Sequence, residues 1–227
     1  MIIKKILRLL FRSKVSHNYS YASLANVGDV KTVIDIGVAY GTPELYEQFS
    51  GCNLVLIDPL LSYNKNHLKK VTSKYKSVYF VSKGVSDKHE MSTINMNEDS
   101  MGRSTFNIRT DLTHKVKESV IDVEVESDTL DNILDALALP GPYGIKIDTE
   151  GYEIKVLNGS KQTLKQTVFV STEVSVAKRF HDGYSFSDLI KTMDSYKFRL
   201  FDILDMSRSN RIGTKYVDLA FIKKETK

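Results

Sequence analysis

Lys31-Thr-Val-Ile-Asp35-Ile-Gly37-Val-Ala39-Tyr-Gly41-Thr-Pro43 is the stretch around which the chain is organised. Thr32 to Ile36 is β-branched and apolar, the character of a strand buried on both faces of a parallel sheet. Two glycines four positions apart follow it; they can take backbone angles closed to other residues and let a ligand approach the main chain. Thr42 and Pro43 read as a helix start, a hydroxyl to cap free N–H groups and then a proline where its missing N–H costs nothing. Strand, glycine turn and helix open a doubly wound α/β fold, in which ligands bind at the carboxyl ends of the strands.

The spelling of the turn selects among ligands. A dinucleotide site uses G-x-G-x-x-G, because a pyrophosphate sits on the helix N-terminus. Here the order is Asp35-x-Gly37-x-x-x-Gly41, with an acid in first place. That resembles the first motif of S-adenosylmethionine-dependent methyltransferases, whose ligand carries a cationic amine and a sulfonium and no phosphate. A carboxylate suits such a ligand and would repel a pyrophosphate.

The bulk properties fit one α/β domain. The chain has 227 residues, 41% hydrophobic and 26% charged, and its one cysteine, Cys52, leaves no disulfide framework and points to a reducing, cytoplasmic compartment. The net charge of +4 is uneven: Lys4, Lys5, Arg8, Arg12 and Lys14 supply five positive charges before residue 15, so the remainder stands at −1. A nearly neutral body argues against a nucleic-acid surface. Within residues 1–14, Ile2, Ile3, Ile6, Leu7 and Leu10 fall at helical spacing opposite most of the basic residues. Two readings stay open for this segment: a helix lying on the inner membrane surface, or docking on the domain or a partner subunit. We divide the chain into a lead-in, 1–27, and a main domain, 28–227.

Along the domain, the pattern predicts a helix over 43–49 and a second strand, Cys52–Asp58. Asp58 falls about 20 residues after the glycine turn, where such folds hold ribose hydroxyls. A helix over Leu60–Val71 and a strand over Ser77–Val81 follow. Gly84-Val85-Ser86-Asp87 is then a turn at a strand's carboxyl end. Met91–Met96 alternates as a short strand, and Asn97–Thr113 reads as a polar loop shaping the pocket, with Gly102, Arg103, Asn107 and Arg109 in it. His114 reads as an exposed side chain. Ile121–Glu126 alternates as a strand with one wet face, and Thr129 is placed to cap a helix over Leu130–Leu137.

The second focus is Gly144-Ile-Lys146-Ile-Asp148-Thr-Glu150-Gly-Tyr-Glu153. Strand side chains alternate, so Lys146 and Asp148 share a face. A lysine and an aspartate on a central strand need partners, which makes either a buried ion pair or a polar site at the strand end. Gln166–Val174 is the next strand and sets Glu173 near its carboxyl end. A basic loop with Lys178, Arg179 and His181 follows. Ser185-x-x-Asp188 spells a capping box for a helix through Met193. Phe198–Ile203 and Tyr216–Ile222 read as the closing strands, joined by a polar connection, Ser207–Thr214.

Three of these stretches, Val33 to Gly41, Ile57-Asp58-Pro59 and Ile145 to Glu153, stand in the order and spacing of the FkbM-type methyltransferases, with Thr129-Leu-Asp131 and Thr172-Glu-Val174 also fitting. The chain resembles that family over residues 28–222. The resemblance implies a Rossmann-like class I methyltransferase: a seven-stranded, mostly parallel sheet, an antiparallel last strand and helices on both faces. It implies S-adenosylmethionine held by Asp35, Gly37, Ala39, Gly41, Asp58, Pro59, Val85, Ser86 and Asp148. The reaction it implies is methyl transfer to a hydroxyl on a sugar, glycan or other small molecule. A hydroxyl is a poor nucleophile, so a base or a metal helps remove its proton. Asp148, Glu150 and Glu173 are the candidates, either as a base or as ligands to Mg2+, and Lys146 is a third option as a base whose pKa burial lowers. Lys178 and Arg179 would suit an acidic acceptor. Two other classes compete: a nucleotide-binding oxidoreductase, and a non-catalytic, membrane-recruited scaffold that keeps the fold. The oligomeric state is not legible.

Overall fold

A computed structural model describes residues 21–98, 100–110 and 119–224. The basic segment 1–14 and His114 lie outside the described residues. Ten strands are present among them: β1 (Thr32–Ile36), β2 (Asn53–Ile57), β3 (Val78–Val81), β4 (Gly84–Val85), β5 (Glu90–Asn97), β6 (Val120–Asp128), β7 (Tyr143–Ile147), β8 (Thr167–Ser175), β9 (Phe198–Ser209) and β10 (Gly213–Lys223). The helices are α1 (Pro43–Gln48), α2 (Leu61–Val71), α3 (Leu130–Leu137), α4 (Glu153–Asn158) and α5 (Phe186–Ser195).

Seven strands make the main sheet, in the order β3-β2-β1-β7-β8-β10-β9. All neighbours from β3 to β8 run parallel, and β10 is antiparallel to both β8 and β9. The chain starts in the middle, winds out to β3, and returns across β1 to β7, so β1 and β7 flank the switch point where a ligand crevice forms. The expected architecture is therefore the observed one.

Alternation along β1 explains the layering. Ile34 and Ile36 face one core with Ile145, Ile147 and residues of α3, α4 and α5, among them Leu134, Val156, Leu157 and Leu189. Val33 faces the other core, with Leu45, Tyr46, Leu61 and Leu68 of α1 and α2. That second core also takes Tyr21 and Leu24 from a short 3-10 helix, Tyr21–Asn26, so the packed unit reaches back beyond residue 28.

Two caps hold as the pattern predicts. The Thr129 hydroxyl accepts from Asn132 N–H at the start of α3. Ser185 and Asp188 form the full reciprocal box at the start of α5. Ser185→Ala is expected to cost about 1 kcal/mol, read as a lowered urea midpoint with unchanged slope; an unmoved midpoint would show the cap to be idle.

Two features depart from the sequence reading. Ser207–Thr214 is not a plain connection: β9 runs on to Ser209 and β10 begins at Gly213, so the closing hairpin is longer and turns only at its tip. A second sheet also forms, in the order β4-β6-β5. Its apolar residues Ile94, Met96 and Val125 pack with Leu60 and with Phe106 of the loop 98–110. This small sheet stands over the carboxyl ends of β2 and β3 and builds one wall of the site.

Candidate active site

The glycine turn works through its backbone. Gly37 sits at φ +78°, and a Cβ there would lie 1.9 Å from the carbonyl oxygen of Asp148. β1 and β7 therefore close on each other only because residue 37 has no side chain. Gly41 is at φ +90°. Ala39 between them also takes a left-handed conformation, φ 43°, which costs a non-glycine residue strain. Two side chains fix it there: Ala39 N–H donates to Asp58 Oδ2 (3.0 Å), and Asn64 Nδ2 donates to Ala39 O (3.0 Å).

Asp58 follows β2. Its Oδ1 accepts from Leu60 N–H (2.8 Å), so each carboxylate oxygen is engaged by one backbone donor and keeps lone pairs for another. Burial pushes its pKa up, against the pull of the Ala39 and Leu60 N–H groups. Asp58 lines a first cavity with Gly37, Ala39 and Pro59 on one side and the apolar side chains of Ile57, Val85, Ile94 and Phe106 on another. Gly102, Ser104 and Thr105 of the polar loop complete it, so that stretch does lie against the pocket.

A second cavity of about 370 Å3 adjoins the first, within the ~300–1,000 Å3 span of ligand pockets. Tyr21, Tyr40, Gly41, Glu44, Lys146, Glu173, Tyr216 and Asp218 contribute to it. Asp148, Gly37, Ala39 and Gly102 belong to both cavities. Asp148 thus stands at the passage between them.

The charges around that passage are mostly spoken for. Lys146 Nζ lies 3.1 Å from Asp148 Oδ2 and 3.7 Å from Asp35 Oδ1. Arg179 is buried and clamps both Glu150 and Glu173, and Arg109 adds a second contact to Glu150 at 3.1 Å. The first cavity matches the adenosine of S-adenosylmethionine in the chemistry of its lining: a carboxylate acceptor with lone pairs for vicinal hydroxyls, beside an apolar slot suited to a purine. A dinucleotide fits less well. The one lysine on the wall, Lys83, is held by Glu126 (2.6 Å) and Asp128 (3.5 Å), leaving it occupied rather than available to a phosphate.

The model of the methyltransferase FkbM domain matches residues 25–200, more than three quarters of the chain. The chain belongs to the FkbM methyltransferase family. No curated protein sequence matches it. Among solved structures, the FkbM methyltransferase of Methylobacillus flagellatus KT is similar with a TM-score of 0.50 and 15% identity. The alignment covers 89% of this chain and 47% of that one, so this FkbM chain spans about half the length of that protein. A 1,6-didemethyltoxoflavin-N1-methyltransferase of Burkholderia thailandensis, solved with S-adenosylhomocysteine and its substrate, matches with a TM-score of 0.49 and 13% identity over 96% of this chain and 82% of that one. The magnesium protoporphyrin IX methyltransferase of Synechocystis PCC 6803, with S-adenosylhomocysteine bound, gives 0.48 and 10% over 99% and 88%.

Within this FkbM fold several sequence expectations need correcting. Asp35 is fully buried and lines neither cavity; it accepts from Tyr46 Oη and Thr42 Oγ1 (3.0 Å) and shapes the turn from beneath. Ser86 is likewise buried behind the wall that Val85 forms, its N–H given to Asp128 O (2.9 Å). Lys146 is not a lysine made neutral by its site. Burial alone would lower its pKa, but Asp148, Asp35 and Tyr21 outweigh that and hold it well above the ordinary value. Glu150 and Glu173 are paired with arginine, and among the described residues their ligand atoms do not group with those of Asp148 closely enough to share an ion. Among the described residues, the group with ligand atoms close enough to share an ion is His89, Glu126 and Asp128, and Lys83 already occupies its two carboxylates. Arg179 is spent on those glutamates, while Lys178 and His181 are exposed on the loop outside both cavities, so none of the three awaits an acidic acceptor.

Two participants escaped the sequence reading, and so did the partner of a third. Phe106, which lines the first cavity, is the one aromatic residue of the polar loop Asn97–Thr113, and that contrast was its available signal. Asp218 interrupts the apolar run Tyr216–Ile222, the same anomaly that drew attention to Lys146 and Asp148. Arg109 was named with the polar loop, but its ion pair with Glu150 had no local signal; its bridge to Phe180 joins segments 71 residues apart.

Proposed function

We propose that this protein transfers a methyl group from S-adenosylmethionine to a hydroxyl of a sugar, glycan or other small polyhydroxylated molecule. The observation that carries the reading is Asp58, a carboxylate with lone pairs to spare on the wall of an apolar slot, one passage away from a second, acid- and tyrosine-lined cavity. S-adenosylmethionine supplies an electrophilic methyl on a positively charged sulfur. Asp58 accepts from the ribose hydroxyls, Val85, Ile94 and Phe106 cover the purine, and the turn at Gly37, Ala39 and Gly41 admits the remainder against the main chain. Asp148 presents negative charge at the junction of the two cavities, held in place by Lys146. The acceptor occupies the second cavity, and much of the acceleration comes from holding the two reactants close and aligned.

No unpaired cation among the described residues lines that second cavity, since its lysine is shared between Asp35 and Asp148. This favours a neutral acceptor over an acidic one. It also disfavours the oxidoreductase reading, in which a pyrophosphate would need a positive partner. Among the described residues no helix is long and apolar enough to cross a membrane.

The test is a transfer screen with methyl-labelled S-adenosylmethionine against glycosides and other hydroxyl acceptors, run in Mg2+ and in EDTA. Label on a hydroxyl in both conditions is the expected result; label confined to amines, or dependence on Mg2+, would defeat the assignment. Asp148→Ala is expected to lower turnover by about a hundredfold or more while leaving affinity for S-adenosylhomocysteine, which lacks the sulfonium charge, within about threefold, the pattern of an interaction made in the transition state. Equal losses in both quantities would make Asp148 a plain cofactor ligand.

A further inference from the structure

We propose that Asp218, on the antiparallel strand β10, is the catalytic residue that orients the acceptor hydroxyl in the second cavity and takes its proton. The proposal rests on the methyltransferase reading above and assigns a role within it.

The argument begins with the carboxylates that reach this cavity: Glu44, Asp148, Glu173 and Asp218. Glu44 is exposed at the first turn of α1, at the solvent side of the cavity rather than within it. Asp148 is bonded to Lys146, and Glu173 is clamped by Arg179. Asp218 remains, half-buried, and among the described residues none donates a hydrogen bond to it. A carboxylate in that position has acceptor capacity that only a bound molecule or water can fill.

Strand geometry aims it into the cavity. Asp218 stands opposite Glu173 across β10 and β8 and opposite Asp205 across β10 and β9. Paired residues share a sheet face, as do residues two apart on one strand, so Tyr216 points the same way. Tyr216 also lines the cavity, and its ring carries the Arg179 guanidinium at 4.7 Å from the centroid. The hydroxyl-bearing ring of Tyr21 also lines the cavity.

The electrostatics agree with the geometry. Burial raises the pKa of Asp218 first, Asp148 and Asp205 raise it further, and Lys146 and Arg179 oppose them, leaving it pushed up to about 7. Glu173, which faces it, is tied to Arg179. A base with its pKa near neutrality is placed to accept a proton and to return it to water. In the step itself the acceptor O–H bond breaks and its proton goes to the Asp218 carboxylate. The acceptor oxygen forms the new bond to the methyl carbon as the carbon–sulfur bond breaks, its electron pair remaining on sulfur as the neutral thioether.

The experiment compares wild type with Asp218→Asn in three measurements. The first uses the unliganded protein. A buried acid with a raised folded-state pKa favours its protonated form, so its effect on stability is absent below the unfolded pKa and becomes unfavourable as pH rises towards 7. Asp218→Asn should therefore gain melting temperature relative to wild type at pH 8 and gain less at pH 5; an equal difference at both values overturns the proposal. In the second, calorimetry with S-adenosylhomocysteine should give the same affinity for both proteins within about threefold, and a tenfold loss in the variant would reassign Asp218 to the cofactor. No heat even with wild type would sink the cofactor reading itself, a separate failure. In the third, on a hydroxyl acceptor found by the labelled-methyl screen, kcat should fall by about 100- to 10,000-fold and lose its rise through pH 7, with the KM for S-adenosylmethionine unchanged. An intact pH limb in the variant overturns the assignment.

Discussion

Asp58→Ala is expected to weaken S-adenosylhomocysteine binding by at least about a hundredfold. The estimate counts two hydrogen bonds from ribose hydroxyls to a charged acceptor, each contributing about 1.5–3 kcal/mol, against roughly 1.4 kcal/mol per tenfold in affinity. A second loss adds to it. Asp58 also receives the N–H groups of Ala39 and Leu60, and without it Ala39 keeps only Asn64 to hold its left-handed backbone. Asp58→Asn separates the two effects, because the amide oxygen can still accept from one of those donors while the charge is gone. Calorimetric titration near pH 7.5 is the measurement, with a thermal melt to confirm that both variants fold. Binding should also weaken on acidification sooner than an ordinary aspartate would dictate. Burial raises the Asp58 pKa, and the charged acceptor is lost as pH falls through that raised value. Wild-type affinity in the alanine variant would remove Asp58 from the ribose site and, with it, the main support for the cofactor reading.

The parts of this molecule that were legible beforehand are those in which a local physical necessity dictates the residue. Gly37 had to be glycine because β7 passes within contact of its α-carbon, and the capping box at Ser185 is closed within four residues. Lys146 and Asp148 could be placed on one face from the two-residue period alone. What their partners were depended on register: Asp35 lies opposite Lys146 only because β1 and β7, more than a hundred residues apart, pair in that alignment. The same distance hid the fate of Glu150 and Glu173. Read along the chain they are unclaimed acids at strand ends, suited to a metal; in the fold the loop after β8 doubles back and Arg179 claims both. Ala39 was placed by family pattern rather than by conformation, since nothing in an alanine announces a positive φ. The second sheet was half visible, with β5 and β6 each alternating, but their pairing with each other and with Gly84-Val85 is non-local.

Arg179→Ala is expected to destabilise the protein by about 3–5 kcal/mol, because it removes one partner from a buried ionic group and leaves Glu173 uncompensated. Arg179 is 6% exposed and bonds Glu173 and Glu150 at once, and its guanidinium also lies 4.7 Å and 5.3 Å from the ring centroids of Tyr216 and Phe180. Glu150 would retain Arg109 at 3.1 Å. Among the described residues Glu173 would retain no cation partner, and its pKa is already well above the ordinary value through burial and through the neighbouring Asp148 and Glu150 charges. At roughly 2–4 °C per kcal/mol for a chain of this size, the melting temperature should fall by about 6–20 °C. Arg179→Lys keeps the charge but cannot bridge two carboxylates with a planar fork, so it should recover only part of the loss. The sign of the pH dependence is a sharper test. The arginine favours ionised glutamates, and without it the folded state favours protonated ones, so the deficit of the alanine variant should be large at pH 8 and shrink as pH is lowered and Glu173 takes up its proton. Adding Glu173→Gln to Arg179→Ala should recover stability at pH 8 for the same reason. A single-variant loss below about 1 kcal/mol, measured by urea unfolding at neutral pH, would mean that these acids are not held by the clamp, and Glu150 and Glu173 would again be free to act at the site.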